Sequence, residues 1–247
     1  MKNIKKFIVI VAMTMIFSVS AFAASGFEFI LNVPLGLGIG IPTKSEKDIK
    51  WKSGIGFDAG VTAQLGYMFQ VKSGFGISVL GELGYSWDAY MMGRGDTSVT
   101  SIGNDYTTKD GVSIQQYYHS FKLGLLPKFN IGFGGRHGLA IGIGGGVKIP
   151  ISGNYTLNLK LNGTNPDGSA LTQLDLKRED IISMYNPALI GYIKASIDYY
   201  LFFTDSIAME FGLYLGGDFA PKQKDTKIGL DAFDIGLQLG FRFGPKA

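Results

Sequence analysis

The chain of 247 residues contains no cysteine and only two histidines, His119 and His137. Disulfides, thiol catalysis, thiolate metal sites and a lipid-modified N-terminal cysteine are thereby excluded, and a His-rich metal cage has too few ligands. Charge is also scarce: 17% of residues are charged, against about a quarter in an ordinary soluble domain. Beyond residue 23 no apolar run approaches the ~20 residues of a helical membrane span. What is abundant is glycine, 36 copies in a chain that is 46% hydrophobic. That glycine has no three-residue period, which excludes a collagen-like chain, and the apolar content is too high for a disordered one.

Residues 1–23 read as a secretory signal peptide. Lys2, Lys5 and Lys6 form a positive start, residues 7–17 are apolar except Thr14, and Ala21-Phe22-Ala23 offers small residues for cleavage. Of the 23 Lys and Arg, those three fall in the leader, so the remaining 20 balance the 20 Asp and Glu. With net charge zero, no basic field indicates a nucleic-acid partner. The expectation is one exported domain, residues 24–247.

A period of two runs through that domain. From Phe27 every second residue to Ile41 is apolar, and the same alternation recurs over 55–69, 75–87, 115–129, 139–151, 189–201, 207–219 and 230–243. Eight such strands, most of them long enough for a tilted membrane crossing of ~9–11 residues, are joined by short turns alternating with longer loops. In the segment 152–187, Tyr155, Leu157, Leu159 and Leu161 alternate before a turn and a second short leucine run. A hairpin standing above the membrane is the simplest reading, and an extra strand pair, making ten, is the alternative.

Alternation does not say which face meets lipid. The minor face is rich in Gly, Ser and Ala, unlike a solvated strand face and well suited to a narrow interior. Aromatics also cluster near strand ends, which predicts two interfacial girdles drawn from Phe57, Tyr67, Phe75, Trp87, Tyr199, Phe241 and Phe243. The fold class that follows is all-β: an eight-stranded antiparallel up-and-down transmembrane barrel, whose closure pairs every backbone group in lipid.

The last strand, Phe233-Asp-Ile235-Gly-Leu237-Gln-Leu239-Gly-Phe241-Arg-Phe243, and the stretch from Tyr118 to Phe129 resemble the small bacterial outer-membrane β-barrel proteins of the OmpA-barrel and OmpX type. The resemblance spans nearly all of 25–243. It implies residence in the outer membrane, contact with its lipids, and insertion by the barrel-assembly machinery, which reads a C-terminal aromatic strand. Gly244-Pro245-Lys246-Ala247 follow the last phenylalanine here, and no peptidoglycan-binding domain is expected after the barrel.

Charged residues on the minor face must pair or meet water. Glu28, Glu82, Lys122, Lys148, Lys194, Asp198, Glu210 and Arg242 form the candidate lumen network, with Asp58, Asp88, Asp218 and Asp234 on the same face. Glu82 and Lys122 fall at similar heights, and Glu28 meets Arg242 where the barrel closes. One reading is a salt-bridged plug, the other a gated ion path. Carboxylate catalysis has no nucleophile or His partner beside it, so no enzyme activity, catalytic residue, metal or cofactor is expected. Arg94-Gly95-Asp96 resembles an integrin-binding tripeptide in a long loop, a candidate contact with host surface or matrix proteins, though three residues recur easily by chance. The functional expectation is a monomeric barrel with a structural or adhesion-type role. The alternatives are a small channel or hydrophobic-solute transporter, and a soluble periplasmic lipocalin-like carrier.

Overall fold

The computed structural model describes residues 25–42, 51–94, 97–101, 104–108, 112–159, 170–225 and 229–247. The leader therefore lies outside the described residues, as do Gly95 and Asp96. Among the described residues the strands are β1 Gly26–Pro42, β2 Lys52–Ser53, β3 Ile55–Lys72, β4 Phe75–Arg94, β5 Thr97–Ser101, β6 Asn104–Thr108, β7 Val112–Leu125, β8 Lys128–Phe133, β9 His137–Leu159, β10 Ala170–Lys177, β11 Ile190–Phe202, β12 Ile207–Phe219 and β13 Leu230–Phe243, and a helix, α1, spans Arg178–Met184.

Antiparallel pairing closes a ring: β1 lies between β3 and β13, and the circuit continues through β4, β7 with β8, β9, β11 and β12 back to β13. β7 and β8 are one staved strand. Leu126-Pro127 interrupts it because proline has no N–H to give, but the register with β4 and β9 is the same on both sides. The ring thus has eight members. The strand read over 115–129 is longer than expected, and its turn narrows to residues 134–136.

Following paired residues once around the ring, a path that leaves β1 at Ile30 passes Gln64, Glu82, Gly124, Gly146, Tyr192, Asp218 and Ala232 and returns to β1 at Gly40, ten residues further along. For eight strands that stagger sets a tilt of about 41° and a backbone radius of roughly 8 Å. Ten residues of strand then climb roughly 25 Å along the axis, the height of a lipid-facing band.

The apolar face points outward. Phe57, Leu65, Ile193 and Leu237 are 44, 39, 58 and 58% exposed, while Glu28, Gln64, Asp198, Glu210 and Arg242 are almost wholly buried. So extensive an apolar exterior, running over all eight members of the ring, has no place in water and every place in hydrocarbon. The carrier alternative is thereby corrected: a lipocalin-like barrel turns its greasy face inward to hold ligand, and this interior is filled with charge. No described helix is long and apolar enough to cross a membrane.

Aromatic rings band the outside. Phe57, Trp87 and Tyr117 form a row on neighbouring strands, with centroids 6.0 and 5.8 Å apart. Toward the short turns, Tyr67 packs between Phe27 and Phe69, Phe243 lies beside Phe29, and Tyr199 beside His137. Phe241 pairs across to Leu31 and Met209, and Phe75 begins β4 opposite Lys72 and Ile131.

Candidate functional site in the barrel lumen

Inward side chains form four stacked polar layers. Nearest the loops, Lys148 Nζ donates to Asp88 Oδ1 at 2.8 Å and Asp218 Oδ2 at 2.5 Å. Tyr90 Oη also donates to Asp218, and Ser86 Oγ to Asp88. In the second layer Glu82 is the hub: Lys122 Nζ lies 2.8 Å away, and Gln64 and Tyr192 donate to it at 3.0 and 2.9 Å. Lys194, 4.0 Å from Glu82, donates to Gln238 at 2.8 Å.

The third layer centres on Lys128, fully buried and 2.9 Å from Asp198 and 3.1 Å from Glu210. Gln238 and Ser196 donate to Asp198, and Asn32 to Glu210. In the lowest layer Arg242 Nε lies 2.9 Å from Glu28 Oε1, and Arg242 Nη1 donates to Asn130 at 2.8 Å. Asn130 donates to Ser78, which donates in turn to Glu28. A charge buried alone costs several kcal/mol, so Glu28, Glu82, Asp88, Asp198, Glu210 and Asp218 are held here by the cations and donors within reach of each.

Three tyrosines fill the space between layers, each ring opposite a glycine on the paired strand: Tyr192 with Gly146, Tyr200 with Gly138, Tyr214 with Gly236. A Cβ on Gly138 would collide with Tyr200 and with nothing nearer. Arg242 stacks 4.4 Å from the Tyr200 ring and Lys122 4.2 Å from that of Tyr192, contacts that hold a cation against an aromatic face.

Above the polar layers the interior changes character. Tyr90, Met92, Ile114, Tyr118, Leu176, Ile181, Tyr185, Ile190 and Leu230 form a buried apolar cluster across the loop-side mouth. Two local features build it. A bulge at Ile151 shifts the β7–β9 register by one residue. Side-chain parity in β9 therefore reverses, and Tyr155 and Leu157 pack against the cluster. Then β10 pairs with the projecting end of β9, and α1 folds back over the mouth with Ile181 buried. The Lys177 N–H donates to Asp180 at the helix start, and Arg178 Nη1 reaches the carbonyls of Pro150 and Ala188. The helix end is stitched to the β12–β13 loop, where Asn186 N–H donates to the Lys222 carbonyl and Lys224 N–H to that of Met184.

Two spaces remain. A cavity of about 40 Å³ adjoins Asp58, Asp88, Lys148, Asp218 and Asp234, room for roughly three waters. A vestibule of about 270 Å³ opens on the turn side and ends at Tyr200 and Phe202.

All eight residues of the expected lumen network thus lie in these layers. Lys128 is a central member that the alternation did not single out, and the apolar cap was not foreseen at all. Arg94 is the last residue of β4, and its Gly95 and Asp96 neighbours lie outside the described residues, so the tripeptide acquires no geometry. Neither histidine joins the polar layers: His119 Nδ1 lies 2.5 Å from Tyr85 Oη and His137 Nδ1 2.5 Å from Tyr199 Oη, and His137 also borders the turn-side vestibule.

This is the architecture of a small outer-membrane β-barrel, with an apolar exterior, aromatic bands and a charged interior. Among solved structures the chain is similar to Neisserial surface protein A (7% identity over 87% of this chain and 96% of that one, TM-score 0.36). It is also similar to Ail, the attachment invasion locus protein of Yersinia pestis (10% identity, 88% and 99%, TM-score 0.33), and to the outer membrane protein OprG of Pseudomonas aeruginosa (8% identity, 91% and 99%, TM-score 0.34). No curated protein matches it in sequence. The family model described as "Domain of unknown function (DUF2715)" matches residues 4–166, and the chain belongs to that family.

Proposed function

We propose that the protein is a monomeric, non-conducting barrel of the bacterial outer membrane, exported through a cleaved leader and serving a structural or surface-contact role rather than catalysis or transport. One observation carries this reading. The lumen is filled by four hydrogen-bonded ionic layers and covered by the apolar cluster around Ile181. Ions would have to break buried pairs in every layer, and an apolar solute would have to pass a charged interior. A purified protein reconstituted in planar bilayers is expected to show no steady single-channel openings. Steady openings would move the protein to the small-channel class.

With the lumen closed, contact with anything outside the cell falls to the surface segments between the strands. The β5–β6 pair, Thr97–Ser101 with Asn104–Thr108, is the candidate, following Arg94 in the chain. The barrel supplies the rigid mount on which such a segment is carried.

A further inference from the structure

The layer beneath the cap is unbalanced. Four aspartates, Asp58, Asp88, Asp218 and Asp234, adjoin a cavity that three lysines, Lys122, Lys148 and Lys194, also line. Lys148, Tyr90 and Ser86 satisfy Asp88 and Asp218. Asp58 and Asp234 are left on either side of Gly38, which pairs with Asp234 on β13 and sits on β1 two residues from the partner of Asp58 on β3. A Cβ on Gly38 would lie 3.1 Å from Asp234 Oδ1 and 3.2 Å from Asp58 Oδ1, so both oxygens face one small volume that only glycine leaves free. Asp234 is 5% exposed, and its Oδ1 has no hydrogen-bond partner. The next cations down, Lys122 and Lys194, are engaged with Glu82 and Gln238.

An unpartnered buried carboxylate oxygen facing a second carboxylate calls for a positive charge between them. No three His, Cys, Asp or Glu side chains among the described residues converge as a metal cage. A hydrated divalent cation needs no such cage: an ion of the Mg²⁺ kind keeps several waters and is held by one or two carboxylates. The adjoining cavity of about 40 Å³ has room for roughly three of those waters. We infer that Asp58 and Asp234 bind one hydrated divalent cation inside the barrel, beneath the cap. The ion bridges β3 and β13 across β1, and so ties together the two sides of the seam where the first and last strands meet.

The test uses protein refolded with Mg²⁺, passed through a desalting column, and analysed for metal; Ca²⁺ is run in parallel. Wild type is expected to retain about one equivalent per chain, and Asp58→Asn and Asp234→Asn to retain none while still migrating as folded barrels. Wild type refolded with EDTA should unfold at a lower temperature than with Mg²⁺, and that difference should vanish in Asp234→Asn. Absence of bound Mg²⁺ and Ca²⁺ in wild type overturns the inference without recourse to any variant. So does metal retained equally by both variants, which would place it elsewhere. A protonated-carboxyl infrared band that is present in wild type refolded with Mg²⁺ and lost in Asp234→Asn would also overturn it, since a proton would then be the bridging charge.

Discussion

At the scale of single residues, the interior is governed by what each buried charge would face alone. Lys128 neutralises both Asp198 and Glu210, all three fully buried. Lys128→Met should therefore destabilise the barrel by roughly 3–5 kcal/mol, because two buried carboxylates lose their cation. Urea unfolding in lipid vesicles measures it, and Lys246→Met, which breaks the exposed pair with Asp205, is the control expected to leave the midpoint unchanged. Gly138→Ala should also destabilise, since its Cβ meets the Tyr200 ring. Most of that cost should disappear when the same change is made in a Tyr200→Ala background, a coupling that a double-mutant cycle reads directly. Additive effects would show that the glycine is not there for the ring.

Inward charges such as Glu82, Lys122 and Arg242 were legible because parity alone assigns a strand residue to a face. The inward tyrosines were not, because a ring counts as apolar in a pattern while its hydroxyl and face serve the lumen; Tyr192, Tyr200 and Tyr214 turn inward where a glycine stands opposite. Lys128 was missed because Leu126 and Pro127 precede it, and a proline inside a strand normally argues against continuing it.

At the scale of elements, the cap depends on one extra residue. Without the bulge at Ile151, Tyr155 and Leu157 would face outward at the loop-side rim instead of covering the mouth. The alternating leucines of 155–161 were legible as a strand, but a bulge leaves no mark in hydrophobic period, so their facing was not. α1 holds the cap through Ile181, which is fully buried. Ile181→Ala is expected to cost about 2–4 kcal/mol of local stability, seen as faster amide exchange over 178–184 while exchange in β11–β13 stays slow. Uniform acceleration would mean that cap and barrel unfold together. For surface contact, the informative deletion is residues 97–108 rather than the whole span 91–114, because Met92 and Ile114 belong to the cap. On the proposed surface-contact role, its removal should leave a folded barrel with host-matrix binding lost relative to the intact protein; equal binding with and without it would exclude the hairpin as the contact.

For the whole molecule, the account rests on a ring of eight strands whose stagger of ten residues sets tilt and width. Strand number and the short-turn, long-loop rhythm were readable from alternation and turn chemistry. The stagger was not, since register depends on which residues meet across strands. The outward apolar face is the claim from which the plugged lumen, the aromatic bands and the proposed role all follow, and the absence of cysteine makes it directly testable. Single cysteines at Leu65, Ile193 and Leu237 can each carry a nitroxide in protein reconstituted in lipid. The account predicts that spin labels at these three positions relax strongly with dissolved oxygen, as lipid-exposed groups do, and weakly with a water-soluble nickel chelate. Labels at Leu65, Ile193 and Leu237 shielded from both reagents would place those side chains in a packed core and contradict it.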